Sequence, residues 1–258
     1  MTNAPVLVTG SAGRLGHAAV SALLAAGAAV RGFDRRPTPG LPDAAVGELT
    51  DAIAVREAVR GTRCVIHLAA APDDARFPRG DAPDDGDNFL SELVPANVVG
   101  LYRVLDACRA EGVPRVVLAS SGQVVDGYFD DNALPATVTA LPRPRYLYAC
   151  TKVLMEAMGG VYARNHGLDV LSVRLGWCPR DAGQVAEIAA DPDAQDVYLS
   201  PADAGSFFER AANAEWRGHH VVYATSRHLH RLCYDLAPTT RLLGWVPNEN
   251  WPTGAYNY

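Results

Sequence analysis

Pro5-Val-Leu-Val-Thr-Gly-Ser-Ala-Gly-Arg-Leu-Gly16 decides the fold of this chain. A short apolar, β-branched run stopped by glycine predicts a buried strand. The alanine-rich stretch from Gly13 to Ala26, closed by Gly27, predicts a helix. A strand, a glycine turn and a helix leave free N–H groups at the positive end of the helix dipole, where a dinucleotide pyrophosphate can lie. Gly10, Gly13 and Gly16 give the spacing Gly-x-x-Gly-x-x-Gly, not the Gly-x-Gly-x-x-Gly of the standard fingerprint. A glycine-rich helix entry with no ligand is the competing reading.

The same rhythm continues outward. Ala29–Phe33 predicts a second strand ending at Asp34, and a short strand near Ala44–Gly47 leads to Thr50 as a helix cap and a helix to Arg60. Cys64–Leu68 predicts a fourth strand, Phe89–Glu111 a long helix, and Arg115–Ser120 a fifth strand. A helix over Tyr148–His166 and a sixth strand over Leu168–Arg174 complete the pattern, which loosens afterwards without an internal repeat. Strands separated by helices imply crossovers, hence an α/β, doubly wound Rossmann-type parallel sheet. The expected division is a cofactor-binding region over 1–174 and a small substrate-binding portion over 175–258, within one integrated domain.

Bulk properties narrow the class. The 258 residues are 48% apolar and 20% charged, ordinary for a globular protein. A net charge of -6 argues against a nucleic-acid partner. No apolar run approaches the roughly 20 residues of a membrane span, and Met1–Pro5 lacks the features of a signal peptide. The scattered cysteines (Cys64, Cys108, Cys150, Cys178, Cys233) suit reduced, mostly buried thiols and a cytoplasmic setting. His219-His220 and the His228/His230 pair read as surface groups, and no metal site is expected.

Tyr148 and Lys152 stand four residues apart, on one face of their helix. A tyrosine of pKa about 10 is a poor base at neutral pH. A lysine ammonium beside it stabilises the phenolate and makes a reversible proton shuttle for an alcohol or carbonyl. Ser121, ending the fifth strand, can hold the reacting oxygen against the tyrosine. Asp34 sits where a carboxylate accepts from adenosine ribose hydroxyls and repels a 2′-phosphate, which favours NAD over NADP. Arg35 and Arg36 pull the other way, because a guanidinium there pairs with that phosphate.

With these motifs the chain resembles the extended short-chain dehydrogenase/reductase superfamily, in its NAD-dependent epimerase/dehydratase group. Thr9–Gly16 is similar to its Thr-Gly-x-x-Gly-x-x-Gly, His67-Leu-Ala-Ala70 to its strand-four segment, and Ser120-Ser121 to its serine pair. Glu48-Leu49-Thr50-Asp51 resembles its adenine segment, with Glu48 where Asp is usual. Asn97 would take its structural asparagine position, and Arg174-Leu-Gly-Trp-Cys-Pro179 resembles the region at the nicotinamide end. The resemblance implies Ser121, Tyr148 and Lys152 as catalytic. It implies cofactor contacts from Gly10, Gly13, Arg14, Leu15, Gly16, Asp34, Arg35, Glu48, Leu49, Leu68, Ala69, Ala70, Tyr148, Lys152, Leu175 and Cys178. Its long helices imply a homodimer.

Within this group Tyr146–Lys152, Val197–Asp203 and Leu243–Pro247 resemble the uronate dehydrogenases. The substrate positions depart from them. Gly122-Gln123 replaces an Asn-His that holds sugar hydroxyls, and Trp177 replaces a serine. Gly122, Gln123, Trp177 and Arg180 are therefore the candidate substrate residues. A loop crowded with Asp73, Asp74, Asp81, Asp84, Asp85 and Asp87 would repel an anionic substrate unless Arg76, Arg79 or Arg180 offsets it. It reads either as a solvated insertion or as a lid over a neutral or cationic substrate. The expected activity is oxidation or reduction of a small sugar, polyol or hydroxylated metabolite. A cofactor-retaining epimerase and a non-catalytic dinucleotide sensor are the alternatives.

Overall fold

The computed structural model describes residues 4–72 and 88–256. Seven strands make one parallel sheet: β1 (Val6–Thr9), β2 (Val30–Asp34), β3 (Ala44–Val46), β4 (Cys64–His67), β5 (Arg115–Ser121), β6 (Asp169–Leu175) and β7 (His219–Ala224). Their order is β3-β2-β1-β4-β5-β6-β7. β1 lies between β2 and β4, so the winding reverses beside it (Thr9 pairs with Phe33 on one side and His67 on the other). A crevice opens outside the strand ends at such a reversal, which is where ligands bind in open α/β sheets.

The helices are α1 (Arg14–Ala25), α2 (Ala52–Val59), α3 (Leu101–Ala110), α4 (Gly127–Asp130), α5 (Leu147–His166), α6 (Ala182–Ala190), α7 (Pro192–Asp196), α8 (Pro201–Asn213) and α9 (Ala237–Leu243). Alternation along the strands divides the core in two. Val6 and Val8 face α1 and α8, packing with Leu23, Phe207, Phe208, Trp216 and Trp245. Leu7 faces the other way, onto α2, α3 and α5, with Val55, Leu105, Met155 and Tyr162. A parallel sheet covered on both faces needs strands that are apolar throughout, and β1 and β4 are buried at every position.

Three local expectations shift. Asp51, not Thr50, caps α2, its carboxylate accepting from the Ile53 and Ala54 N–H groups. The helix foreseen over Phe89–Glu111 is a wide π-helical run, Phe89–Gly100, with Pro95 inside it, continuing into α3. The sheet also does not stop at residue 174. β6 extends to Leu175, and β7 adds a seventh strand opening with His219-His220, a pair read from sequence as surface histidines. Both are half-buried, and His219 bonds Ser172 Oγ at 3.2 Å. An edge strand that begins with polar residues carries too weak an apolar signal to be read alone.

Helices α1 and α8 meet at Gly205, where an added Cβ would lie 2.7 Å from the Ala18 carbonyl oxygen. Gly205→Ala is expected to force the two helices apart and destabilise the protein by about 1–3 kcal/mol. A lowered urea midpoint with an unchanged slope checks this.

Candidate active site

The turn after β1 is built by backbone touching backbone. Gly10 has φ +72°, and a Cβ there would sit 2.7 Å from the Ala69 nitrogen. A Cβ on Gly16 would come within 2.1 Å of the Gly10 carbonyl oxygen. Only glycine allows this approach of β1, the loop after β4 and helix α1. Thr9 Oγ1 bridges that contact, 2.8 Å from His67 Nδ1 and accepting from the Ala69 N–H at 3.3 Å. Burial, with the Lys152 charge second, pushes the His67 imidazole down to about 3, so it stays neutral.

The residues around this turn fit a dinucleotide. Arg14 Nη2 donates to the Gly254 carbonyl at 3.3 Å, while its Nε and Nη1 are buried without a partner among the described residues. Unmet guanidinium donors at a helix N-terminus can bind a phosphate oxygen. Asp34 stands at the end of β2, its carboxylate accepting from the Ala12 N–H at 3.1 Å and the Arg36 N–H at 2.9 Å. The Arg36 guanidinium folds back onto the Ala12 carbonyl at 3.2 Å, and Arg35 is exposed. Leu49 packs against Gly100, with Glu48 exposed beside it. Leu68, Ala69 and Ala70 follow β4 past the turn, and Leu15 is packed against the α1 side of the core. Leu175 closes β6, and burial pushes the nearby Cys178 thiol up to about 11 against the opposing charge of Arg14.

Two of the residues expected to move a proton, Ser121 and Lys152, lie near the end of β5. Ser121 is its last residue, and its Oγ accepts from the Gln123 N–H at 3.2 Å. Lys152 is fully buried, its Nζ donating at 2.9 Å to the Ala119 carbonyl, two residues before Ser121. The same Nζ lies 5.2 Å from the centroid of the Tyr148 ring. Burial lowers the Lys152 pKa to about 8. Asn97 ties this helix to the loop after β4. Its amide exchanges hydrogen bonds with the Ala71 backbone at 2.8 and 3.0 Å and donates to Thr151 Oγ1 at 3.3 Å.

The candidate substrate positions separate. Gly122 and Gln123 adjoin Ser121, and Gln123 Oε1 is buried without a partner among the described residues. Trp177 packs beside Val185, Ile188 and Tyr198, its indole N–H donating to Gln184 Oε1 at 3.3 Å. The exposed Arg180 donates its backbone N–H to the same oxygen at 2.9 Å. The acidic loop with Arg76 and Arg79 lies outside the described residues.

Two carboxylates escaped the sequence reading. Glu156, one turn beyond Lys152, forms a two-pronged pair with Arg174 of β6 (2.9 Å at each contact) and accepts from Ser120 Oγ at 2.7 Å. The signal was available: a Glu spaced i+4 from a buried lysine, and an Arg inside an apolar strand. Asp203 of α8 accepts from Ser226 Oγ at 2.6 Å and from the Asn248 and Glu249 N–H groups at 2.8 and 3.1 Å. It anchors the C-terminal segment whose carbonyls receive Arg14, a contact between chain ends that no local pattern announces.

Glu156→Gln leaves the Arg174 guanidinium buried opposite a neutral amide. A loss of about 3–5 kcal/mol is expected, read from urea unfolding. The Lys152 ammonium has the opposite pH signature to a stabilising ion pair. Its folded pKa of about 8 lies below the ordinary 10.5, so between these values the unfolded chain binds more protons. Stability of the cofactor-free protein should therefore gain on that of Lys152→Met as pH rises from 8 to 10. A constant difference between the two unfolding midpoints would contradict this.

Comparison with known proteins agrees with this geometry. Residues 6–177 match the NAD dependent epimerase/dehydratase family. L-arabinose 1-dehydrogenase (NAD(P)(+)) of Haloferax volcanii is 31% identical, over 97% of this chain and 98% of the relative. The NAD-dependent glucose-6-phosphate dehydrogenase of the same organism is 30% identical, over 95% of this chain and 94% of the relative. A mutant uronate dehydrogenase from Agrobacterium tumefaciens, solved in complex with NAD, superimposes with a TM-score of 0.75 at 26% identity, covering 96% of this chain and 85% of that one. The reversal beside β1, the glycine turn and relatives matched along nearly their whole length lead to one conclusion: the chain belongs to the NAD dependent epimerase/dehydratase family and is an NAD-dependent oxidoreductase.

Proposed function

We propose that the protein is a dehydrogenase of a small sugar, oxidising one hydroxyl-bearing carbon. The observation that carries this reading is the placement of Lys152, bonded to the Ala119 carbonyl beside Ser121 and 5.2 Å from the Tyr148 ring centroid. The Tyr148 phenolate takes the substrate hydroxyl proton, the Lys152 ammonium stabilises that phenolate, and Ser121 Oγ holds the reacting oxygen. Bound NAD supplies the hydride acceptor. The curated relatives that match over nearly the whole chain are named for arabinose and for glucose 6-phosphate, which supports a sugar as substrate.

Arg14, the glycine turn and Asp34 hold the dinucleotide in this reading. A 2′-phosphate would face the Asp34 carboxylate, while Arg36 is already engaged on Ala12, which favours NAD over NADP. Residues 175–258 close over the strand ends and complete the substrate pocket. We also infer a homodimer formed through α3 and α5, whose outer faces leave Tyr102, Leu154 and Val161 exposed. The buried free thiols suit a cytoplasmic enzyme.

Purified protein with NAD and a panel of aldoses should accumulate reduced nicotinamide, followed by absorbance. Sugar conversion without that accumulation would identify an epimerase instead. Tyr148→Phe should lower kcat at least 1,000-fold, about 4 kcal/mol in the barrier, and leave the NAD dissociation constant within about twofold. Turnover retained in this variant would sink the mechanism.

A further inference from the structure

Ser121 is followed by Gly122, and Tyr234 occupies the space a side chain there would need. A Cβ on Gly122 would lie 2.4 Å from the Tyr234 hydroxyl oxygen and 2.8 Å from its ring Cζ. The phenol thus stands against the residue next to the oxygen-positioning serine, although Tyr234 lies 113 positions after Ser121 in the chain.

The ring is held firmly. It stacks on Tyr223 with centroids 4.6 Å apart and planes within 3°, and it meets Phe129 edge-on at 6.1 Å. Its backbone is pinned where the Ala136 N–H donates to the Cys233 carbonyl at 2.9 Å and the Asp235 N–H to the Ala136 carbonyl at 3.2 Å. Tyr223 is fixed in turn by Arg174, whose Nη1 donates to its hydroxyl at 3.0 Å. The Arg174 knot that seats the catalytic helix therefore also seats Tyr234.

The hydroxyl itself is idle. Tyr234 is only 4% exposed, and none of the hydrogen bonds seen among the described residues engages its hydroxyl. One residue past Gly122, Gln123 Oε1 is a buried polar atom without a partner among the described residues. Burial, with the charge of Asp126 second, holds the phenol well above its ordinary pKa of 10. It remains a protonated donor across the range in which a dehydrogenase works.

We propose that Tyr234 is a substrate-recognition residue whose hydroxyl, with the Gln123 carbonyl, binds a hydroxyl of the sugar neighbouring the one oxidised. This assignment rests on the sugar dehydrogenase reading above. A donor and an acceptor together complement an alcohol, which both accepts and donates. A sugar that lacks this hydroxyl leaves both groups unpaired, so the pair selects sugars that carry it.

The test compares the unmodified protein with Tyr234→Phe, at saturating NAD, on neutral aldoses, the matching uronic acids and the monodeoxy forms of the best aldose. Tyr234→Phe is expected to raise KM for that aldose about three- to tenfold, the loss of one neutral hydrogen bond. KM for NAD and the unfolding midpoint should not move. One monodeoxy sugar, lacking the recognised hydroxyl, should be turned over equally by both proteins. An unchanged kcat/KM for the aldose, or the same proportional loss on every monodeoxy sugar, overturns the assignment. So does a parallel rise in KM for NAD, which marks a packing role. No oxidation of any sugar by the unmodified protein overturns the sugar reading itself, whereas turnover indifferent to Tyr234→Phe overturns only the role of Tyr234.

Discussion

Two charged side chains of α5, Lys152 and Glu156, are buried one helical turn apart against the sheet, and the candidate active site depends on how they are paired. A buried charge is tolerated only when its partners meet it at good geometry. Lys152 meets the Ala119 carbonyl, and Glu156 meets Arg174 and the Ser120 hydroxyl. Together they leave α5 little freedom to slide along β5 or rotate about its own axis. Tyr148 rides on the same helix and Ser121 ends the same strand. Their relative placement is thus set by electrostatics in the core, beneath the site itself.

A second constraint comes from close backbone approach. Gly10 and Gly16 draw β1, α1 and the loop after β4 together, and Asn97 carries that loop across to α5 through Ala71 and Thr151. The glycine turn and the helix that carries Tyr148 and Lys152 are therefore one connected structure. The last part of the chain joins it as well. Asp203 gathers the backbone at Asn248 and Glu249, and the Gly254 carbonyl reaches Arg14 beside the glycine turn. Residues after 174 supply β7 and α8 to the sheet and its covering layer.

Much of this was legible because it is local. β1, the glycine turn and α1 are contiguous, and the apolar runs of β4, β5 and β6 report burial directly. The Tyr148/Lys152 spacing is a property of one helix. β7 was not legible, since it opens with two histidines and lies at an edge where only one neighbour supports it. Asp51 as the cap of α2 was missed by one residue, because Thr50 and Asp51 are both able caps and only the backbone angles decide between them. Asp203 and Tyr234 act through partners far away in sequence, and no window contains both sides of those contacts.

The amino-acid sequence by itself determined the doubly wound class, the glycine turn and the Tyr148 and Lys152 set, since each follows from periodicity or short spacing. Tertiary structure alone decided how that set is held and what stands beside it. Glu156 found Arg174, the chain end found Arg14, and the Tyr234 phenol filled the space left by Gly122. The physical reason is the reach of the interactions. Backbone propensity and helical spacing act within a few residues, whereas pairing a buried charge or filling a void is settled only when distant segments pack.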